Sequence, residues 1–176
     1  MKDSETLSTA LYIVLGVLAA VAINAGMGFA LGTDLPIVAV QSGSMVPAFY
    51  KGDLLILEGM KGREGSLQAG DVIVFSPPGR EVPVVHRIIA LNPDGTFQTK
   101  GDANPTQLPF EKGISADQIH GRSIITIPYL GWVKIAAVDA YFYAVANPML
   151  AAIALAGLLL AFFAWDKLEK KGKKRK

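Results

Sequence analysis

The chain contains no cysteine and only two histidines, His86 and His120. The lack of cysteine excludes disulfide bonds, a thiolate nucleophile and metal sites with cysteine ligands. The two histidines are far apart in the sequence and have no carboxylate pattern close to them, which argues against a zinc site. We therefore expect a protein whose chemistry needs neither a metal nor another cofactor.

Charged residues are absent from two long stretches, Leu11–Leu31 and Tyr141–Trp165, and the mean hydropathy of the chain is high at +0.37. An α-helix needs about 20 apolar residues to cross a bilayer. The first stretch has this length, and the second has Met149–Trp165 as its continuous apolar part. We predict an N-terminal transmembrane anchor (residues 1–33) and a C-terminal transmembrane helix (residues 141–165), in preference to two buried core helices.

The N-terminal stretch differs from a cleavable secretory signal in two respects. Its apolar run exceeds the roughly 7–15 residues of such a signal, and residues 1–9 carry little positive charge. It is therefore interpreted as a retained anchor.

Residues 166–176, DKLEKKGKKRK, form a basic tail with seven basic and two acidic side chains. A basic block directly after an apolar run is typical of the cytoplasmic side of a membrane and is attracted to anionic lipids. A nucleic-acid partner is not expected, because the rest of the chain has no basic surface that would extend the tail. The predicted protein is a multi-pass protein of the cell membrane, with both termini in the cytoplasm and the middle segment outside.

The middle segment, residues 34–140, has the pattern of short strands and no convincing amphipathic helix. Its candidate strands are rich in apolar and β-branched residues and are separated by Gly, Pro and Asn turns. These strands are Leu35–Val40, Leu54–Glu58, Val72–Phe75, Val82–Leu91, Phe97–Lys100 and Arg122–Ile127. The predicted fold is mainly β: a small all-β domain flanked by two transmembrane α-helices.

The segment VQSGSMVP, residues 40–47, places two serines at the end of the first strand. The glycine between them permits a tight turn that exposes the Ser44 hydroxyl, which becomes a nucleophile when a base removes its proton. Ser42 is placed to help stabilise an oxyanion. In isolation, however, Ser-Gly-Ser is also a common loop sequence.

Two further residues are candidates for base and acid. Strand periodicity puts His86 on the same face as Val84 and Ile88, where an ionisable ring needs a polar partner. Asp102 follows a strand in the turn GDAN and could orient an imidazole, although an Asx-turn explains it equally well. His120 is interpreted as structural.

Taken together, the motifs SGSM–P, GDLLILEG, GDVIVF, VVHRIIA and TKGDAN resemble type I signal peptidases of the archaeal and endoplasmic-reticulum branch. The resemblance extends from about Ile37 to Trp132. It implies that Ser44 is the nucleophile and that Ser42 contributes to the oxyanion hole, as in the bacterial branch. His86 stands where bacterial members carry a lysine base, and the family's GD motif brings in Asp102.

The resemblance has one departure. Members of this branch often carry a second aspartate about six residues after the first, and Leu108 occupies that position. If the second aspartate normally orients the histidine, either Asp102 or Asp117 must replace it, or the activity is reduced.

The implied function is a membrane-bound serine endopeptidase that removes signal peptides from exported preproteins. The resemblance implies substrates with small residues one and three positions before the cut. A strand edge beside Ser44 could bind such a substrate in extended form by β-addition, with residues 37–40 and 82–84 as candidates to line it. An association with the secretion translocon is a further expectation.

Two alternatives stay open. One is a serine autoprotease related to the LexA-type repressors, against which the histidine and the two apolar stretches argue. The other is a catalytically weak or inactive signal-peptidase-like membrane module that acts as a subunit or binding protein.

Overall fold

The computed structural model describes residues 2–154, 156–157, 161–162 and 164. The chain divides into two compact units between Trp132 and Val133. The first unit begins with helix α1 (Lys2–Leu31). Within α1, Leu11–Leu31 has a mean hydropathy of 2.1 and is not buried by other parts of the protein, so it is long and apolar enough to cross a membrane.

A six-stranded antiparallel sheet follows α1, in agreement with the six short strands predicted from apolar, β-branched runs between turn residues. Its strands are β1 (Ile37–Ala39), β2 (Leu54–Glu58), β3 (Val72–Phe75), β4 (Val84–Leu91), β5 (Phe97–Lys100) and β6 (Ile119–Ile127). Their order across the sheet is β1-β2-β6-β3-β4-β5, so β1 and β5 lie at the edges. Three single-turn 3₁₀ helices, Glu64–Ser66, Pro109–Glu111 and Ala116–Gln118, connect the strands. The prediction of a β domain without an amphipathic helix agrees with these elements.

Two apolar clusters form the core. The larger packs around the central strand β3 and contains Met60, Leu67, Ile73, Phe75, Ile88, Phe97 and Ile114. The smaller lies under β1 and β2 and contains Val40, Leu55, Leu57 and Val74. All four residues of β3 are buried, which explains why this strand reads as a continuous apolar run.

The second unit differs from the predicted C-terminal span. Helix α2 comprises Gly131–Ala146, and a further helix, Pro148–Ala154, is bent from it by 114°. The break lies at Asn147, since proline disfavours the helical conformation of the residue before it. The two pieces meet the length of a membrane span only if they are counted together. Within the described residues, neither piece alone has the length of the second span predicted at residues 141–165. The basic tail, residues 166–176, lies outside the described residues.

Candidate active site

The turn that carries Ser44 is fixed by its neighbours on both sides. The Val40 N–H donates to the Asp53 carbonyl at 2.9 Å, which ties the end of β1 to the start of β2. Met45, directly after Ser44, is 1% exposed. The buried Met45 side chain fixes the backbone of the turn against the core, while the adjacent side chain of Ser44 stays partly exposed. The turn thus presents a hydroxyl on an otherwise anchored segment.

Ser42 lies beside the nucleophile candidate, as the sequence predicts. Its Oγ is 3.2 Å from Ser44 Oγ, within hydrogen-bond distance. The Ser42 side chain is exposed. A hydroxyl at this position can donate to an oxygen atom that binds next to Ser44.

His86 is buried in β4 on the face predicted from strand periodicity, with 4% of its surface exposed. Its Nε2 lies 3.0 Å from Ser44 Oγ. Its Nδ1 is hydrogen-bonded to Oε1 of Glu111. An ionised carboxylate only accepts hydrogen bonds, so this contact puts the proton on Nδ1 and leaves the Nε2 lone pair facing the serine hydroxyl.

Glu111 is the functional residue that the sequence analysis missed. It closes the 3₁₀ helix Pro109–Glu111 and is completely buried. Its Oε2 accepts a hydrogen bond from the Leu108 N–H at 2.6 Å, and its Oε1 accepts a longer one from Thr99 Oγ1 at 3.4 Å. A carboxylate loses most of its hydration on such burial and needs these donors, together with the imidazole, as compensation. We call Ser44, His86 and Glu111 the active-site triad.

Apolar neighbours fix the position of the Glu111 side chain. Phe110 packs against the larger core cluster, with its ring centroid 6.4 Å from that of Phe75. Ile114 is fully buried and pairs with Phe97 in an isolated β-bridge. The only sequence signal for Glu111 was its place in LPFEKGI among apolar residues, since a charged residue is rarely buried without a partner.

The structure corrects the expectation that Asp102 orients His86. Asp102 instead forms a two-pronged ion pair with Arg87, at 2.9 Å from Nε to Oδ1 and 2.6 Å from Nη2 to Oδ2. This pairing raises the pKa of Arg87. Nη1 of the same guanidinium donates to the Gly70 carbonyl at 2.8 Å. Strand alternation explains the result, since Arg87 follows His86 and points to the opposite face of β4.

Asp102 nevertheless belongs to a turn that touches the site. The Ala103 N–H donates to the Ser44 carbonyl at 2.9 Å. A Cβ atom on Gly101 would lie 2.7 Å from that same carbonyl oxygen and 2.9 Å from His86 Nε2. Any side chain at position 101 would clash with the Ser44 backbone and the His86 ring, so this position requires glycine. The turn therefore sets the spacing between the two groups.

The two remaining candidates lie elsewhere. Asp117 is exposed in the 3₁₀ helix Ala116–Gln118 and makes none of the contacts described for His86. His120, interpreted as structural, contacts Ser76 and Asp34. Neither residue joins the active-site triad.

A serine, a histidine and a carboxylate joined in this order can perform acyl transfer. The histidine accepts the serine proton, and the carboxylate fixes the tautomer and stabilises the imidazolium that forms. The same constellation occurs on unrelated folds, so geometry supports a reaction class rather than a substrate.

Comparison with known protein families adds information that the geometry of the site does not give. Residues 9–102, more than half of the chain, match the family described as signal peptidase, peptidase S26. The chain is also 39% identical over 117 residues to the signal peptidase complex catalytic subunit sec11 of Dictyostelium discoideum, covering 61% of this chain and 64% of that protein.

Two further relatives show the same likeness. The signal peptidase complex catalytic subunit SEC11C of Homo sapiens is 40% identical over 116 residues, covering 59% of this chain and 58% of that protein. The SEC11 subunit of Schizophyllum commune is 33% identical over 138 residues, covering 65% and 70%. The chain thus spans less than two thirds of the Dictyostelium and human relatives.

Proposed function

Because the chain belongs to the signal peptidase family of the endoplasmic-reticulum and archaeal type, we propose that it is a membrane-bound serine endopeptidase that removes N-terminal signal peptides from exported preproteins. The observation that carries the proposal is the active-site triad. A buried histidine lies 3.0 Å from a serine on one side and contacts a buried carboxylate on the other. Buried ionisable pairs next to an accessible hydroxyl are concentrated at functional sites.

In the first half-reaction, His86 Nε2 takes the proton from Ser44 Oγ as this oxygen attacks the scissile carbonyl carbon. The carbonyl oxygen becomes an oxyanion, which the Ser44 N–H and the Ser42 hydroxyl stabilise. The imidazolium then protonates the leaving nitrogen, the peptide bond breaks, and the signal peptide remains esterified to Ser44. The mature protein leaves with a new amino terminus.

In the second half-reaction, His86 removes a proton from water, which attacks the ester carbon. Collapse of this second intermediate breaks the bond to Ser44 Oγ, and the serine recovers its proton from the imidazolium. Glu111 stays ionised throughout and stabilises the imidazolium through Nδ1. In this proposal Glu111 takes the role that the sequence had assigned to Asp102.

Substrate binding is proposed along the strand that leads to the nucleophile. β1 lies at an edge of the sheet, and Ser44 follows it within five residues. An extended peptide added beside this edge would present alternate side chains to the protein. Residues 37–40 and 82–84 remain the predicted lining, and the family resemblance suggests small residues one and three positions before the cut.

The membrane part of the proposal depends on α1. Its apolar stretch Leu11–Leu31 is exposed along its length, as a lipid-facing helix would be. We propose that it anchors the β domain on the extracytoplasmic side, and that residues 141–165 cross the bilayer a second time and so place both termini in the cytoplasm. Anchoring raises the effective concentration of a substrate whose own apolar segment lies in the same bilayer. Since the relatives are named as catalytic subunits of a complex, partner subunits and a translocon association are also proposed.

The test uses the full chain in liposomes with a preprotein as substrate. We expect one cleavage product, whose new amino terminus follows a small residue, and no product with Ser44→Ala. A phosphonate directed at serine hydrolases should label the wild type at Ser44, as located by peptide mass spectrometry. Absence of both cleavage and labelling in folded wild-type protein would favour the alternative of an inactive membrane module.

A further inference from the structure

The end of α1 is joined to the sheet by contacts that the proposed mechanism does not use. The Gly59 N–H donates to the Leu31 carbonyl at 2.7 Å. The two segments approach so closely that a Cβ atom on Gly59 would lie 1.8 Å from the Gly32 carbonyl oxygen. The C-terminal end of α1, at Leu31 and Gly32, therefore lies directly against the β2–β3 connection.

His120, near the start of β6, provides the second part of this attachment. The Thr33 Oγ1 hydroxyl donates to the His120 carbonyl at 2.8 Å. The His120 Nδ1 lies 3.0 Å from each carboxylate oxygen of Asp34. Two consecutive residues that follow α1 thus hold one histidine by its backbone and by its ring.

The other side of the His120 ring contacts the sheet. Its Nε2 lies 2.8 Å from the Oγ of Ser76, which follows β3. His120 therefore links residues after α1 to the end of the central strand. We call Ser76, His120 and Asp34 the junction triad.

We propose that the junction triad is a positioning device that sets the height of the active site above the bilayer and thereby selects the bond that is cut in a membrane-embedded substrate. The inference rests on the proposed function and on α1 being the membrane anchor. His120 touches no reacting atom, so it acts only through the placement of the sheet relative to α1.

The size of the effect follows from strand geometry. An extended substrate advances about 3.3 Å per residue. Because its apolar segment is fixed in the bilayer, a shift of the active site by that distance brings a neighbouring peptide bond to Ser44. Even about 1 Å of misplacement can cost on the order of a hundredfold in rate. A soluble peptide has no fixed height and is not subject to this constraint.

The experiment compares two substrates with the same cleavage site: a preprotein in liposomes and a soluble peptide without an apolar segment. The test variant is Thr33→Ala/Asp34→Ala, which removes both contacts to His120 from the α1 side. We expect its rate on the preprotein to fall roughly tenfold relative to the peptide, with cleavage also at neighbouring bonds. The rate on the peptide should stay within about twofold of wild type.

Matched variants locate the cause. Ser76→Ala removes the contact of the same ring on the sheet side and leaves the contacts of Thr33 and Asp34 intact, so we expect a smaller shift of cleavage sites than in the double variant. Asp34→Asn retains an oxygen that accepts from Nδ1–H and should restore most of the wild-type pattern. An equal loss on both substrates in the double variant would mean a purely structural role and would overturn the inference, as would an unchanged ratio.

A readout independent of activity is available because the chain has no cysteine. Spin labels on Ala30→Cys in α1 and Asp94→Cys in the β4–β5 turn report the distance between helix and sheet. The double variant should broaden this distance distribution, and an unchanged distribution would overturn the inference. Failure of the wild type to cut either substrate would instead refute the proposed function itself.

Discussion

The active-site triad and the junction triad connect the same kinds of group in the same order. In each, a serine hydroxyl lies within 3.0 Å of histidine Nε2 and a carboxylate contacts Nδ1. Their surroundings differ. The side chain of Glu111 is 0% exposed, whereas that of Asp34 is 69% exposed.

This difference in exposure distinguishes the arrangement proposed to be catalytic from the one proposed to be positional. Water screens the exposed carboxylate of Asp34, so its attraction to an imidazolium is weak. The buried carboxylate of Glu111 has no such screening and can stabilise a charge that forms during a reaction. A serine, a histidine and an acid in hydrogen-bond contact are therefore insufficient evidence for catalysis. The burial of the acid is the more informative property.

The largest expected effect comes from replacing each of the two histidines with alanine in a separate variant. His86→Ala removes the proposed base and should lower the rate on the soluble peptide by at least about 10³-fold. His120→Ala should leave that rate within about threefold, since this residue is proposed to act only on membrane-embedded substrates. Initial rates on the peptide, with circular dichroism to confirm folding, measure both. Similar losses of peptide cleavage in the two variants would contradict the proposed difference between the active-site triad and the junction triad.

The next effect concerns the buried acid. Glu111→Gln keeps an oxygen that can accept from the Leu108 N–H but removes the negative charge beside His86. We expect a loss of about 10²–10⁴-fold in kcat with little change in KM, since the charge matters mainly when the imidazolium forms.

Asp102→Asn is the matched control for the acid assignment. It weakens the ion pair with Arg87 and loosens the turn around Gly101, and we expect about a tenfold loss or less. A larger loss for Asp102→Asn than for Glu111→Gln would return the acid role to Asp102.

Two glycines lie where backbone segments approach each other closely: Gly101 at the active-site triad and Gly59 at the end of α1. In Gly101→Ala the new methyl group would lie 2.7 Å from a backbone oxygen and 2.9 Å from His86, so the turn must move. We expect about 1–3 kcal/mol of lost stability and roughly a hundredfold lower peptide cleavage. Gly59→Ala should lower the stability measured by urea unfolding and shift cleavage sites in the preprotein. Equal loss of peptide cleavage in both variants would contradict this separation.

The smallest effect comes from a charge cluster outside both triads. Hydrogen bonds from Arg63 and Arg122 hold the pKa of Glu58 below its ordinary value of 4.5. Ionised Glu58 therefore stabilises the fold above the unfolded-state pKa, and this contribution is lost as the pH falls through the lower, folded-state pKa. Glu58→Gln should reduce the acid-induced drop in Tm between about pH 5 and pH 3 by at most about 3 °C. An unchanged drop would remove this cluster as a source of acid sensitivity.

Most of the sheet was predictable because its strands are short, apolar and bounded by turn residues. β2, β3 and β5 have the predicted bounds. β4 starts at Val84 and not at Val82, since Pro83 lacks the N–H that a ladder needs. β6 starts earlier than predicted, at Ile119, because His120 and Gly121 have low strand propensity and are held there by neighbouring strands.

The candidate site was predictable where a family motif carries the residue. Ser44 and His86 are 42 residues apart in the sequence, and their pairing was implied by the family resemblance, while strand periodicity gave only the face of β4 on which His86 lies. Glu111 belongs to no motif that was singled out, and tertiary packing of the Pro109–Glu111 helix brings it to His86. Asp102 was a candidate because it follows a strand in a tight turn. Side chains alternate along β4, so Arg87 and His86 point to opposite faces, and Asp102 lies on the side of Arg87. The second apolar stretch contains a bend between the helices Gly131–Ala146 and Pro148–Ala154, and a single span over residues 141–165 stays a prediction.

The hydrogen bond from the Leu108 N–H to Glu111 has a consequence for how related chains are classified. By the family resemblance, Leu108 stands where members of this branch often carry a second aspartate. One turn of 3₁₀ helix brings a longer carboxylic side chain from three residues further on to His86. In this chain the acid beside the imidazole therefore comes from a different sequence position. Relatives that lack this second aspartate merit a search for a buried glutamate nearby before they are counted as inactive.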